Sequence, residues 1–209
     1  MIVRASAIGS LTPAGTAAMR EHGVRTIIDL RWPEEIATQP SPFASGVAYR
    51  NVPFDEPKVM RLYHHAVAGT MAEQLAALAP AASGLRAVIA AMAESEPAIV
   101  VHCQAGRDRT GAVIGLLLAA IGVADEDVVA DYCLSDNELV PEYERLVREH
   151  PETAADIAEQ RARRGWVMGA LLAAVRSEYG DAREYLRVAG VAPSQLTRLR
   201  DMLVESSGA

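Results

Sequence analysis

Residues 100–111 read Val-Val-His-Cys-Gln-Ala-Gly-Arg-Asp-Arg-Thr-Gly, so that Cys103 is followed, after five intervening residues, by Arg109. Upstream, Ala98-Ile99-Val100-Val101 is a short β-branched run suited to a buried strand. Downstream, residues 112–121 are apolar enough for a buried helix. The motif therefore predicts a strand-to-helix turn, which aims the first amides of the helix and the positive end of its dipole into the loop. An anion belongs there. The same field, with arginine beside it, favours thiolate over thiol and makes Cys103 a nucleophile at neutral pH. The planar fork of Arg109 suits two equatorial oxygens of a phosphoryl group as charge moves onto them. Gly106 leaves the loop without a Cβ that would obstruct the approach of phosphate.

The residues His102-Cys103, Gly106 and Arg109-Thr110-Gly111 resemble the signature of cysteine-dependent phosphatases. With Asp108 inside the loop, the string resembles more narrowly the atypical bacterial tyrosine phosphatases that also act on phosphoserine, phosphothreonine and phosphoinositides. Their loop usually carries lysine where this chain has Arg107. Weaker matches keep the same order along the chain: residues 26–31 (Thr-Ile-Ile-Asp-Leu-Arg), 131–135 (Asp-Tyr-Cys-Leu-Ser), Tyr179-Gly180 and Tyr185-Leu186.

The resemblance implies an α/β cysteine-phosphatase fold, with a central, mostly parallel sheet of four to five strands flanked by helices and the site at the carboxyl ends of the strands. It implies phosphate monoester hydrolysis through a phosphocysteine on Cys103, with Arg109 as clamp and Gln104, Ala105, Gly106, Arg107, Asp108, Arg109 and Thr110 binding phosphate. Thr110 is expected to donate a hydrogen bond to the Cys103 sulfur, and His102 to orient the loop. The family suggests Asp108 as general acid. Its flanking arginines favour the carboxylate, whereas a bound phosphate dianion favours the protonated form. Asp55, in the loop of residues 53–57 (Pro-Phe-Asp-Glu-Pro), is the rival acid.

Composition bounds the rest. With 209 residues, half of them hydrophobic, the chain is long enough for one well-packed domain, expected to span residues 1–209. A net charge of −7 gives no overall basic field for nucleic acid or anionic membrane. Two cysteines make neither a disulfide framework nor a zinc site, so no cofactor or metal is expected and a reducing cytoplasm suits the thiolate. No secretory signal is visible at the N-terminus, and the longest uncharged apolar run, residues 111–124, is too short to cross a bilayer.

The elements that must position the motif are legible in outline. Thr12-Pro13 opens a helix that stops near Gly23, and residues 24–30 form a strand. Arg31 at its end either faces the site or is structurally paired. Trp32-Pro33-Glu34 resembles the Trp-Pro-Asp acid loop of many tyrosine phosphatases, yet its place directly after a strand and before Glu35-Ile36 reads as the opening of a short helix. Residues 46–53 form a second strand. Residues 60–92 are mostly helical, with interruptions near Ala79-Pro80 and Ser83-Gly84. His64 and His65 in that stretch read as a solvated helix face. A helix over residues 125–134 ends in Ser135-Asp136-Asn137. The charged stretch from Pro141 to Arg164, with a new helix at Pro151, is either a solvated hairpin or, as the resemblance implies, a helical lid within residues 138–170. There Arg161, Arg163 and Arg164 would screen or recruit phosphorylated ligand. Cys133 reads as a core residue or as a disulfide partner for oxidised Cys103.

The reading is a protein tyrosine phosphatase, with dual specificity open, acting on a phosphorylated protein or a phosphoinositide. An inositol phosphate phosphatase shares every catalytic residue. A non-catalytic phosphopeptide-binding module would not need both nucleophile and clamp, and a sulfurtransferase has less use for Arg109-Thr110 and an in-loop aspartate.

Overall fold

The computed structural model describes residues 1–43, 46–54, 71–162 and 164–204. Its sheet has four strands, β1 (Ile2–Ala5), β2 (Thr26–Asp29), β3 (Ala48–Asn51) and β4 (Ile99–His102), in the order β1-β4-β2-β3, with every pairing parallel. The central strands, β2 and β4, are buried at all four positions, as expected where helices cover both faces of a parallel sheet. Side chains alternate: Ile28 and Val101 enter the larger core, Ile27 and Val100 the smaller one with Ile8, Val24 and Phe43.

The register lines up Ala5, His102, Asp29 and Asn51 along one edge of the sheet. The carboxyl ends of all four strands therefore open on the same side, and β4 delivers Cys103 to the middle of it.

Helix α1 (Pro13–Glu21) is capped by Thr12, whose Oγ1 accepts the Gly15 amide at 3.1 Å. Helix α2 (Pro33–Thr38) opens at Trp32-Pro33, so the tripeptide there begins a helix as its flanks predict. Helix α3 (Met71–Ala93) runs unbroken where interruptions are expected from Pro80 and Ser83-Gly84. Leu85, Val88, Ile89 and Met92 are all fully buried on it. Each such side chain contributes about 1.5–3 kcal/mol, against a cost of about 1 kcal/mol for a helical glycine and about 3 for proline.

Helix α4 (Asp108–Ala120) follows the motif and is buried on nearly every face. Helix α5 (Asp125–Glu138) continues a turn beyond the predicted end because its polar residues have tertiary partners: Ser135 accepts from Arg4 and Asp136 from Tyr143. Then come α6 (Val140–Glu149), a 3-10 turn at Pro151–Thr153, α7 (Ala154–Ala162), α8 (Arg164–Tyr179), α9 (Ala182–Val188) and α10 (Pro193–Leu203). Helices α6 and α7 are the charged hairpin expected from residues 141–164. Helix α8 packs on α4, with Met168, Leu172 and Val175 in the main core.

Candidate active site

The loop after β4 and the first residues of α4 bring together Cys103, Gln104, Ala105, Gly106, Arg107, Asp108, Arg109 and Thr110. Cys103 is buried at the end of β4. Gly106 has φ +67°, and a Cβ there would press into the Ala5 carbonyl and the Ser6 amide, so glycine is what allows the loop to pack on the end of β1. On the same side the Ala7 amide donates to the Gln104 carbonyl at 2.9 Å. Helix α4 starts at Asp108 with no side chain capping it, and Gly111 donates the first amide bond back into it, to Arg107 at 2.7 Å. A helix N-terminus without a side-chain cap is suited to an anion.

Arg109 is held from α2. Its Nη1 and Nη2 donate to the two oxygens of Glu35 at 2.7 and 2.6 Å, Nη1 also reaches the Leu30 carbonyl at 3.4 Å, and the Trp32 ring lies 5.5 Å below the guanidinium. Glu35 also accepts the Trp32 amide at 2.9 Å, which anchors it as the third residue of its helix. The hydrogen bonds from Arg109 outweigh the cost of burial and hold the Glu35 carboxyl below the usual carboxylate range.

Arg107 lies along Asp108, with Nε to Oδ1 at 3.0 Å and Nη2 to Oδ2 at 3.0 Å, while its Nη1 donates to the Tyr143 hydroxyl at 2.8 Å. Burial works against the charge of Arg107, and the Asp108 carboxylate more than offsets it, so its pKa is raised. Tyr132 donates to Asp108 Oδ1 at 3.3 Å. That approach depends on Gly111, where a Cβ would stand 2.5 Å from the Tyr132 ring. The loop is thus tied to α5 through Tyr132 and to α6 through Tyr143. Tyr143 in turn donates to Asp136 at 3.2 Å, and Arg161 stacks 5.5 Å from its ring with its Nε 3.6 Å from Asp136. Arg161, expected to meet ligand, is therefore engaged by Tyr143 of α6 and Asp136 of α5; the side chains of Arg163 and Arg164 lie outside what the structure describes.

Beneath the loop sits a buried polar cluster. His102 Nδ1 is 3.1 Å from the Cys103 carbonyl, which can only accept, so Nδ1 carries a proton. Its Nε2 lies 3.4 Å from Asp29 Oδ2, near enough for charge but without hydrogen-bond alignment. Burial lowers the His102 pKa, with Asp29 opposing. Asp29 accepts from the Arg31 amide, Nε and Nη2 and from the Tyr49 hydroxyl at 2.7 Å. Burial pushes its carboxyl up, and these bonds outweigh that effect to leave it lowered. Arg31, fully buried, is a structural partner of Asp29 and does not face the loop.

Other expectations fare differently. The buried Thr110 hydroxyl has no hydrogen-bond partner, so the bond to the Cys103 sulfur is not formed in this structure. Asp55, His64 and His65 lie outside the described residues. Cys133 is a thiol, as is Cys103, and packs from α5 against the main core opposite Gly165. Glu35, Tyr132, Tyr143, Asp29 and Tyr49 are site residues that the motif alone does not name. Asp29 and Tyr132 lie in the ordered matches of residues 26–31 and 131–135, and Glu35 is an acid in the first turn after Trp32-Pro33.

Comparison with known proteins identifies the family. A tyrosine-protein phosphatase of Nostoc commune is 30% identical over 95% of this chain and 72% of its own length. The triple specificity protein phosphatase PtpB of Mycobacterium tuberculosis is 26% identical over 97% of this chain and 90% of its own. A putative tyrosine-protein phosphatase of Cupriavidus necator is 32% identical over 46% of this chain and 36% of its own. The model of the tyrosine phosphatase family matches residues 1–205, and the chain belongs to that family of phosphate ester hydrolases.

Proposed function

We propose that Cys103, Asp108 and Arg109 carry out the hydrolysis in two steps. The Cys103 thiolate attacks phosphorus, the bond from phosphorus to the substrate oxygen breaks, and Asp108 gives its proton to the departing oxygen. Water then attacks the phosphocysteine while Asp108 takes the water's proton, the S–P bond breaks, and phosphate leaves with the thiolate restored. Arg109, oriented by Glu35, and the amides of the loop from Gln104 to Thr110 bind the equatorial oxygens as charge spreads over them. The observation that carries this reading is the placement of Cys103 and Arg109 at the two ends of one uncapped strand-to-helix loop, with the guanidinium held by Glu35.

The substrate is a phosphorylated tyrosine side chain, with phosphoserine and phosphothreonine as further substrates; the mycobacterial relative is named a triple specificity protein phosphatase. Residues 1–209 act as one phosphatase unit, in which the arm within residues 138–170 serves as a lid latched to the loop by Tyr143 on Arg107. A reducing compartment such as the cytoplasm suits the thiol pair. No helix among the described residues is long and apolar enough to cross a membrane.

The test is phosphate release, with chelator present, from a phosphotyrosine peptide, a phosphothreonine peptide and a soluble phosphoinositide. Release from the tyrosine peptide at the highest kcat/KM supports the reading. A phosphoinositide turned over in preference to both peptides would overturn the substrate assignment.

A further inference from the structure

Beside the phosphate loop lies a cleft of about 480 Å³. The loop lines it at Ala105 and Gly106, the end of β1 at Arg4, Ala5 and Ser6, and the facing wall is one side of α5. Asp131, Leu134, Ser135 and Glu138 recur there at helical spacing, so a single stripe presents two carboxylates around a leucine. The cleft and the loop thus share residues.

The exposed wall of the cleft is acidic. Arg4 is the one cation among the described residues that line it, and its guanidinium is committed: Nη1 donates to the Asp131 carbonyl at 2.8 Å and to its carboxylate, and Nη2 donates to the Ser135 hydroxyl. The Arg4 side chain is only 15% exposed, whereas that of Asp131 is 38% exposed and Glu138 lies open to solvent. Leu134, 60% exposed, adds an apolar surface to the same wall. Next door, the uncapped start of α4 favours an anion.

Resting on the reading of the loop as a phosphatase site, we infer that this cleft is a substrate subsite for a lysine or arginine a few residues from the phosphorylated one. The aliphatic stem of such a side chain covers Leu134 and Leu139, and its head meets the open carboxylate of Glu138 beside the Arg4–Asp131 pair. An extended peptide advances about 3.3 Å per residue, so a near neighbour of the phosphorylated residue spans from loop to cleft. A second phosphate group would meet the open Glu138 carboxylate and a guanidinium already paired with Asp131. The cleft therefore selects basic phosphopeptides and disfavours polyphosphorylated inositol ligands.

The experiment compares phosphotyrosine peptides that differ only by Lys or Glu at one flanking position, moved along the peptide, on the wild type and on Glu138→Lys. The readout is the Lys-to-Glu ratio of kcat/KM on each enzyme, so a general loss of activity cancels. The wild type should prefer Lys by roughly five- to tenfold at one or two positions at low salt, with the ratio shrinking as salt rises. Glu138→Lys should reverse it. A flat ratio in the wild type, or an unchanged ratio in Glu138→Lys, would overturn the subsite. Equilibrium binding of the same peptides to Cys103→Ser gives the ratio without turnover. Absence of phosphate release from the wild type then counts against the phosphatase reading, and a flat binding ratio counts against the subsite.

Discussion

Glu35 and Arg109, 74 residues apart in the chain, meet as a bidentate pair in which both carboxylate oxygens accept from the two Nη atoms. The pair fixes the plane of the guanidinium at the loop, and the Trp32 ring backs it. Glu35→Gln keeps the shape and an oxygen for the Trp32 amide but loses the charge. It should lower kcat/KM on an aryl phosphate by roughly 10- to 100-fold, because a misoriented clamp fails in the transition state. Stability should fall by only about 1–2 kcal/mol. Unchanged kcat/KM in a folded Glu35→Gln protein would mean that Arg109 needs no orienting partner.

Asp108 is the proposed proton donor, held between Arg107 and Tyr132. Asp108→Asn should cost about 10²-fold or more in kcat on aryl phosphates with poor leaving groups and little on those with good ones. The steepened dependence on leaving-group pKa is the diagnostic measurement. If Asp108→Asn retains full rate with a poor leaving group while Asp55→Asn does not, Asp55 is the acid.

The hairpin touches the loop through Tyr143 on Arg107, a hydrogen bond to a charged donor at 2.8 Å. Tyr143→Phe removes it. Such bonds contribute about 1.5–3 kcal/mol, so hydrogen exchange over α6 and α7 should accelerate roughly tenfold or more while the amides of β4 stay protected. Equal exchange in the two proteins would show that the hairpin is held by its other contacts.

The buried cluster under the loop makes folding pH-dependent. Asp29 and His102 both have lowered pKa values in the folded protein, so the unfolded chain binds more protons and stability rises with pH. On acidification the loss through His102 begins below its ordinary value of 6.5, as the unfolded imidazole protonates first. The stability supplied by Asp29 is complete above its ordinary value of 3.8 and disappears as pH falls through its lower folded value. Urea titrations should show the first component shrinking in His102→Gln and the second in Asp29→Asn. Asp29→Asn also leaves the buried Arg31 without its carboxylate, at a cost of about 3–5 kcal/mol at neutral pH.

The loop was legible because its function forces residue types into a fixed local spacing: Cys103, Gly106 and Arg109 sit in one turn and can be read without knowing what surrounds them. Strands β2 and β4 were legible for a similar reason, as Ile-Ile and Ile-Val-Val runs bounded by polar residues, whereas β1 was not read as a strand. Contacts across the fold were not. Nothing within a few residues of Glu35 points to Arg109, and Tyr132 reaches Asp108 only because Gly111 lets two helices close together. The helix over Pro80 and Gly84 is a further case, since burial of Leu85 and Ile89 in the main core outweighs a local tendency to break. Arg31 shows the limit of charge reading: an arginine near a strand end can serve the site or a buried partner, and only packing separates the two.

The most direct test of the account is the covalent step on Cys103. Wild-type protein is mixed with a phosphotyrosine peptide labelled in its phosphate, quenched in denaturant within the first turnover, and digested. Label retained on the peptide that contains Cys103, and absent in Cys103→Ser along with all phosphate release, is the predicted result. Label on another residue, or phosphate release that persists in Cys103→Ser, would contradict the central claim.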